Sequence, residues 1–332
     1  MPPGAGRHNR PLVGPGGQRV NERKGSLLKG VATITLMGLN LVFWTVPLLL
    51  VAVLKLLVPV AAWREWTSRV LIVLAECWIA GNGAIFRVMR AMPMSVAGLE
   101  GLETRQWYLV VSNHRSWVDI LVLQSIFNRR IPFLKFFLKR ELIWVPLLGL
   151  AWWALDFPFM RRYSSDLLAR HPHLRGKDLE ATRRACEHFR RLPTSVMNFV
   201  EGTRFTEAKR IETGSRYQEL LPPRAGGIAF VLSAMGGMLH SMLDVTIAYP
   251  ARTPSLWDLC CGRLARVVVD VRKRPIEGWM AEGNYAVDSE FRERFQAWLG
   301  GIWAEKDSLL LKIGSEPTIS DKSAVSRFSR VA

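Results

Sequence analysis

A histidine and a carboxylate stand five positions apart at His114 and Asp119, inside the heptapeptide NHRSWVD that begins at Asn113. Imidazole changes charge near neutral pH, and a carboxylate on its far nitrogen fixes the tautomer and stabilises the imidazolium. Together they would serve as a general base and its orienting acid, taking the proton of a substrate hydroxyl. Spacing alone does not select this pair, because His173 and Asp178 repeat the interval. Those two lie in the polar run RHPHLRGKD beside Pro172 and Gly176, and read as a solvated loop. The competing reading of the first stretch is a capping box, with Ser116 at the N-cap and Asp119 three residues on; both readings can hold at once.

Three further blocks carry charge in an organised setting. VMNFVEGTR, from Val196 to Arg204, ends an apolar run in Glu201, Gly202, Thr203 and Arg204. Gly202 would admit an anion close to the backbone, while Thr203 and Arg204 would donate to it, Arg204 as a planar fork. The stretch from Leu134 to Arg162 is apolar in its middle, with Lys139, Arg140, Arg161 and Arg162 at its ends. That composition suits an acyl chain attached to a phosphate, or a buried helix with charged ends. LPPRAG, from Leu221 to Gly226, is a rigid turn into a helix.

Positioning these residues requires strands that end where they begin. Trp107–Val111 is a short β-prone run closed by Ser112, and Ser116 onward reads as a helix through Ile126. On one helix, positions five apart point about 140° away from each other, so His114 must sit in the turn and Asp119 in the first helical turn. Further strands are expected at 132–136, 157–160, 196–200, 244–249 and 267–271, with helices between them, among them Lys177–Leu192 and an amphipathic one over Ser289–Leu311. Alternation of strand and helix predicts an α/β fold, a mainly parallel mixed sheet flanked by helices. In such sheets ligands bind beyond the carboxyl ends of the strands. The His114 and Glu201 turns would then share one edge.

The chain has 332 residues, 49% of them hydrophobic, and a formal net charge of +17. That excess calls for an anionic partner, either nucleic acid or an anionic membrane surface. No zinc-finger spacing or RNA-binding signature accompanies it, whereas Gly30–Leu54 is an uncharged run of about 25 residues, long enough to cross a bilayer. A signal peptide is the rival, but its apolar region would be shorter and nearer the start. Pro47 would kink this helix or split it. Val70–Phe86 follows as a return crossing or an interfacial helix, flanked by tryptophans. Keeping the basic N-terminal tail and the basic remainder on one side predicts a membrane-embedded helical hairpin. The expected organisation is a disordered basic tail over 1–26, the hairpin over 27–92, a catalytic domain over 93–311 and a polar tail over 312–332. Cys77, Cys186, Cys260 and Cys261 form no C-x-x-C pair, which fits a reducing compartment.

In this order, the four blocks resemble the lysophosphatidic acid acyltransferase family of membrane glycerolipid acyltransferases. Its NHxxxxD motif matches Asn113, His114 and Asp119, and its acceptor-binding block matches Lys139 through Pro146 and Gly149 to Arg162. Its PEGTRS-like block matches Glu201–Arg204, and its Pro/Gly block matches Pro223 and Gly226. Val200 and Phe205 depart from the usual proline and serine. The resemblance implies transfer of a fatty acyl group from acyl-CoA or acyl carrier protein to a lysophospholipid hydroxyl, foremost that of 1-acylglycerol-3-phosphate. His114 and Asp119 would be catalytic, and Asn113, Lys139, Arg162, Glu201, Gly202, Thr203 and Arg204 would bind substrate. It implies no cofactor, no metal and no nucleic acid, with membrane lipids as partners. The expected place is a bacterial inner membrane, with the site on its cytoplasmic face. The alternatives are another acceptor (lysophosphatidylglycerol, a lysocardiolipin-like lipid or lyso-ornithine lipid) and a membrane-anchored anion-binding module without catalysis.

Overall fold

The computed structural model describes residues 15–160, 187, 189–190, 192–285, 287–315 and 329–330. Arg161, Arg162, His173, Asp178 and nearly all of the expected helix over 177–192 lie outside the described residues. Helix α1 (Pro15–Leu57) turns through three residues into α2 (Ala61–Val88), and both are long and apolar enough to cross a membrane. The two are cross-linked where Asn40 Nδ2 donates to the Trp78 carbonyl at 2.9 Å and to Asn82 Oδ1 at 3.0 Å. Pro47 lies within α1, which continues through it. The tail expected to be disordered up to residue 26 is helical from Pro15. Once the apolar segment has nucleated a helix, adding QRVNERK turn by turn costs little.

After the hairpin come β1 (Met94–Ala97), β2 (Trp107–Ser112), α3 (Val118–Phe127), β3 (Leu134–Phe136), β4 (Leu138–Lys139), α4 (Leu148–Ala154), β5 (Phe159–Met160) and β6 (Ser195–Phe199). The chain continues as α5 (Glu207–Glu212), α6 (Ala225–Met235), β7 (Leu239–Ala248), α7 (Leu256–Cys260), β8 (Val267–Pro275), α8 (Trp279–Glu282), α9 (Ser289–Ser315) and β9 (Ser329–Arg330). The main sheet runs β3-β6-β2-β7-β8-β1-β9. The strands β3, β6, β2 and β7 are mutually parallel, and β8 turns back antiparallel to β7. The fold is α/β with a mainly parallel sheet flanked by helices.

Strand β2 is the centre of this arrangement. Tyr108, Leu109, Val110 and Val111 are all 0% exposed, so both faces are covered, as an uninterrupted apolar run requires. Leu109 and Val111 meet α6 and α9 on one face, while Tyr108 and Val110 meet α3 on the other. Each such side chain contributes about 1.5–3 kcal/mol on burial, and a one-residue slip would exchange the two faces.

The structure departs from the sequence reading at several places. Phe159–Met160 does not join the main sheet but pairs with β4 in a two-stranded one. Strand β1 was not anticipated; its four residues are too few for an alternation to stand out. The polar tail expected from residue 312 begins as helix, which runs to Ser315, and β9 pairs antiparallel with β1. Pairing satisfies backbone groups that an edge strand otherwise leaves open.

Candidate active site

Parallel register brings three strand ends together. Ser112 at the end of β2 pairs with Phe199 of β6 and with Val245 of β7. The residues that follow, His114, Glu201 and Tyr249, therefore emerge side by side.

Asn113 locks the turn first. Its Nδ2 donates to the Ile247 carbonyl and its Oδ1 accepts the Ile247 N–H, both at 2.9 Å, with the side chain fully buried. Asn113, expected to bind substrate, has its amide committed to β7 and so positions the turn.

Asp119 is 0% exposed in the first turn of α3. Its Oδ2 lies 2.8 Å from His114 Nδ1 and accepts the N–H of Arg115 at 2.6 Å and of Ser116 at 2.9 Å. Its Oδ1 accepts the Tyr249 hydroxyl at 2.6 Å. An oxygen already holding two N–H donors is an acceptor toward the third partner, so His114 Nδ1 carries the proton and Nε2 the lone pair. Among the described residues Nε2 has no hydrogen-bond partner. The imidazole lies flat on Phe199, with ring centroids 3.9 Å apart, and Phe136 of β3 stacks on Phe199 at 6.1 Å.

The capping reading holds in part. Asp119 takes the Ser116 N–H, but the Ser116 hydroxyl accepts from Val118 at 3.1 Å and donates to the Pro254 carbonyl at 2.5 Å. The same carboxylate thus closes the helix start and orients the ring. Four backbone donors at this helix start are committed: Arg115, Ser116, Val118 and Asp119 give their N–H groups to acceptors within the chain.

Glu201 is likewise held within the chain. It is 1% exposed, and its two oxygens accept the N–H groups of His114 and Leu221, each at 2.8 Å. Expected to bind substrate, it ties the β6 end to the His114 backbone, because β6 and β2 are neighbours. Burial pushes its carboxyl up to about 7, against the pull of those two N–H donors. Burial, joined by the Asp119 charge, likewise keeps the Tyr249 phenol protonated, as its donor role requires.

The remaining expected residues divide. Gly202 has φ +69, a left-handed turn suited to glycine, and a Cβ there would meet the Arg224 side chain at 3.1 Å. Thr203 Oγ1 accepts Lys209 Nζ at 2.7 Å. Arg204 is exposed, and its guanidinium lies over the Trp117 ring at 5.0 Å. Lys139 is exposed on β4, three residues past Phe136, and no hydrogen bond or ion pair joins it to His114. Phe205, at a departure from the family pattern, donates its N–H to the His114 carbonyl at 2.7 Å. Its ring carries the Arg115 guanidinium at 4.9 Å, and Arg115 pairs with Glu219.

Sequence reasoning missed Tyr249, Lys209 and the clamp made by Arg115. Tyr249 was within reach, since applying the strand-end rule to β7 as well as to β2 and β6 finds it. Nothing in residue spacing marks Lys209, which reaches back to Thr203 and the Arg204 carbonyl, or Glu219, which meets Arg115 from far along the chain.

Comparisons agree with this geometry. Residues 93–250 match the family model described as Acyltransferase. The mouse 1-acyl-sn-glycerol-3-phosphate acyltransferase gamma is 27% identical over 62% of this chain and 53% of its own length. The delta enzyme of Macaca fascicularis is 26% identical over 73% of this chain and 60% of its own. The chain thus spans about half to three-fifths of the length of these curated relatives. The crystal structure of the 1-acyl-sn-glycerophosphate acyltransferase from Thermotoga maritima superposes with a TM-score of 0.53 and 17% identity, covering 86% of this chain and 98% of that one. That likeness establishes a shared fold. The stretch that matches the Acyltransferase family model, residues 93–250, contains both the His114 and the Glu201 turns.

Proposed function

We propose that this chain is an O-acyltransferase that moves a fatty acyl group from acyl-CoA or acyl carrier protein to the hydroxyl of a lysophospholipid, 1-acylglycerol-3-phosphate giving phosphatidic acid. The observation that carries it is the buried Asp119 carboxylate 2.8 Å from His114 Nδ1, with Nε2 left open at the strand edge. His114 Nε2 takes the acceptor's hydroxyl proton as that oxygen attacks the thioester carbonyl. The C–S bond breaks, and the imidazolium returns the proton to the departing thiolate. Acyl thioester and alcohol thus become ester and thiol, with no acyl group on the enzyme. Phe199 supports the ring, and Arg204, with Gly202 and Thr203 beside it, receives the acceptor's phosphate. Lys139 and Arg162 are proposed to hold the same end.

The membrane reading rests on the hairpin. Leu39, Val42, Val46, Leu50, Val53 and Leu57 recur at helical spacing along α1, and each is half exposed or more. The opposite face, with Thr45, Leu48 and Ala52, is buried. Near its start, Ser26 Oγ accepts from Arg263 Nε at 2.9 Å; near its end, Lys55 Nζ pairs with Asp156 at 2.7 Å. A helix held to the catalytic domain at both ends lies beside it, so α1 and α2 embed sideways from one face. We assign that face to the cytoplasmic side of a bacterial inner membrane, in line with the basic surplus. We keep the division into a tail over 1–26, a hairpin over 27–92, a catalytic domain over 93–311 and a tail over 312–332 as the functional organisation, with helix extending into both tails.

Purified protein in detergent, given lysophosphatidic acid with oleoyl-CoA or oleoyl carrier protein, should yield phosphatidic acid by product mass. His114→Ala should lose about 100- to 10,000-fold in rate. Near-normal turnover by that variant sinks the mechanism. Turnover only of lysophosphatidylglycerol, a lysocardiolipin-like lipid or lyso-ornithine lipid moves the acceptor and keeps the chemistry. Salt-sensitive anion binding without turnover would leave a binding module.

A further inference from the structure

The apolar surface does not stop at the hairpin. Beyond Arg140, the chain carries no charge between Glu141 and Asp156. Within that stretch Trp144 is 85% exposed, Leu150 51% and Trp153 45%. An ordinary surface helix buries its large apolar side chains and shows polar ones. Helix α4 does the reverse: Gly149, Ala151 and Ala154 are buried, while Leu150 and Trp153 point away. Ala151 and Ala154 pack into one cluster with Leu48 and Ala52 of α1. Small residues toward the neighbouring helix and large ones outward is how helices pack in lipid, where the outside is as apolar as the inside.

The segment is also firmly built. A Cβ at Gly149 would meet the Ile143 carbonyl oxygen at 1.9 Å, so the turn around Ile143 and the start of α4 are pressed together and tolerate only glycine there. The exposed tryptophans are thus held outward by a packed turn.

We propose that Leu142–Leu155 is a third bilayer-inserted element, entering beside α1 with Trp144, Leu150 and Trp153 in contact with lipid and Lys139 and Arg140 at the headgroup level. Two observations choose a bilayer as occupant. Helix α4 packs beside α1, whose outward face carries Val46, Leu50 and Val53, and the exposed cations Lys139 and Arg140 stand at the start of the segment, where anionic headgroups would lie. Tryptophan is the side chain favoured at the boundary between the two. The inference rests on reading α1 and α2 as bilayer-embedded. It goes further, because the inserted segment follows directly from β3, whose Phe136 stacks on the Phe199 ring that supports His114. The edge that holds His114 would then open toward the membrane, and the acceptor would arrive without passing through water.

The test uses the unmodified full chain in vesicles of phosphatidylcholine and phosphatidylglycerol, seeded with a phosphatidylcholine that carries a photoreactive diazirine in its acyl chain. After irradiation, adducts are mapped by mass spectrometry. Adducts are expected on the outward residues of α1 and on Trp144, Leu150 and Trp153. Ile211 and Val287, apolar and exposed but distant from the hairpin in the sequence, should remain clear. Adducts on α1 with none between residues 142 and 155 would overturn the third insertion and leave the hairpin reading intact. Adducts confined to the inward Phe133, Trp152 and Phe157 would also overturn it, pointing to a chain-filled interior. Absence from α1 as well would remove both readings.

Discussion

Asp119→Asn isolates the charge that the proposed mechanism needs. The carboxylate holds four donors: His114 Nδ1 at 2.8 Å, the N–H groups of Arg115 and Ser116 at 2.6 and 2.9 Å, and the Tyr249 hydroxyl at 2.6 Å. Asparagine has the same shape. With its oxygen toward the first three, its NH2 faces Tyr249, whose hydroxyl can rotate to accept. The turn and the ring orientation therefore survive, and what disappears is the negative charge facing the imidazolium that forms as the hydroxyl is deprotonated. An opposite charge about 4 Å away at an effective dielectric of about 20 is worth about 4 kcal/mol. Each 1.36 kcal/mol is tenfold in rate, so kcat should fall roughly 100- to 10,000-fold, with little change in acceptor KM. The assay is initial-rate acyl transfer to lysophosphatidic acid by the full chain in detergent, with a thermal melt beside it. A variant that melts with the wild type and keeps kcat within about threefold would refute the argument, since so small an effect leaves the charge no part in catalysis.

Three other outcomes follow from the same geometry. Tyr249→Phe removes one donor to a buried carboxylate, which should cost about 1.5–3 kcal/mol of stability by chemical denaturation and lower kcat less than Asp119→Asn does; an unchanged midpoint would show that the bond carries no weight. Glu201 has its carboxyl raised from 4.5 to about 7, so the folded state binds a proton that the unfolded state has released. Its contribution to stability therefore falls as pH rises through that window and is flat above it. Glu201→Gln cannot titrate, so the wild type should lose ground to the variant in melting temperature between about pH 5 and about pH 8; a constant gap would contradict the burial of an ionisable Glu201. Arg204→Ala should raise the acceptor KM with kcat nearly kept, and an unchanged KM would mean that its fork does not meet the phosphate.

The strands that mattered most were legible in the amino acids. Val196–Val200 and Trp107–Ser112 read as buried strands because runs of β-prone apolar side chains between turn residues have few other uses, and the structure places β6 and β2 there. Strand β1 was not legible, because four residues carry too little pattern. The pairing of His114 with Asp119 was readable once the helix start was placed, since helical geometry forbids contact from within one helix. Glu201 was read as a substrate contact through the resemblance of its block to the acyltransferase family. Its actual partners, the N–H groups of His114 and Leu221, lie far off in the sequence.

By itself, then, the sequence determined the local chemistry: a base and a carboxylate across a strand-to-helix turn, a cationic turn after a second strand, and two helices apolar enough for a membrane. Local order follows from side-chain periodicity and turn residues, which act over a few positions. Only the tertiary structure decided which strand ends lie side by side. The order β6-β2-β7 puts Glu201 behind the His114 backbone, Asn113 on Ile247 and Tyr249 on the far oxygen of Asp119. It also turned the hairpin to lie along the domain. Strand order and helix docking are settled by which buried faces and backbone donors fit together across long stretches of chain, and no spacing within one stretch records that fit.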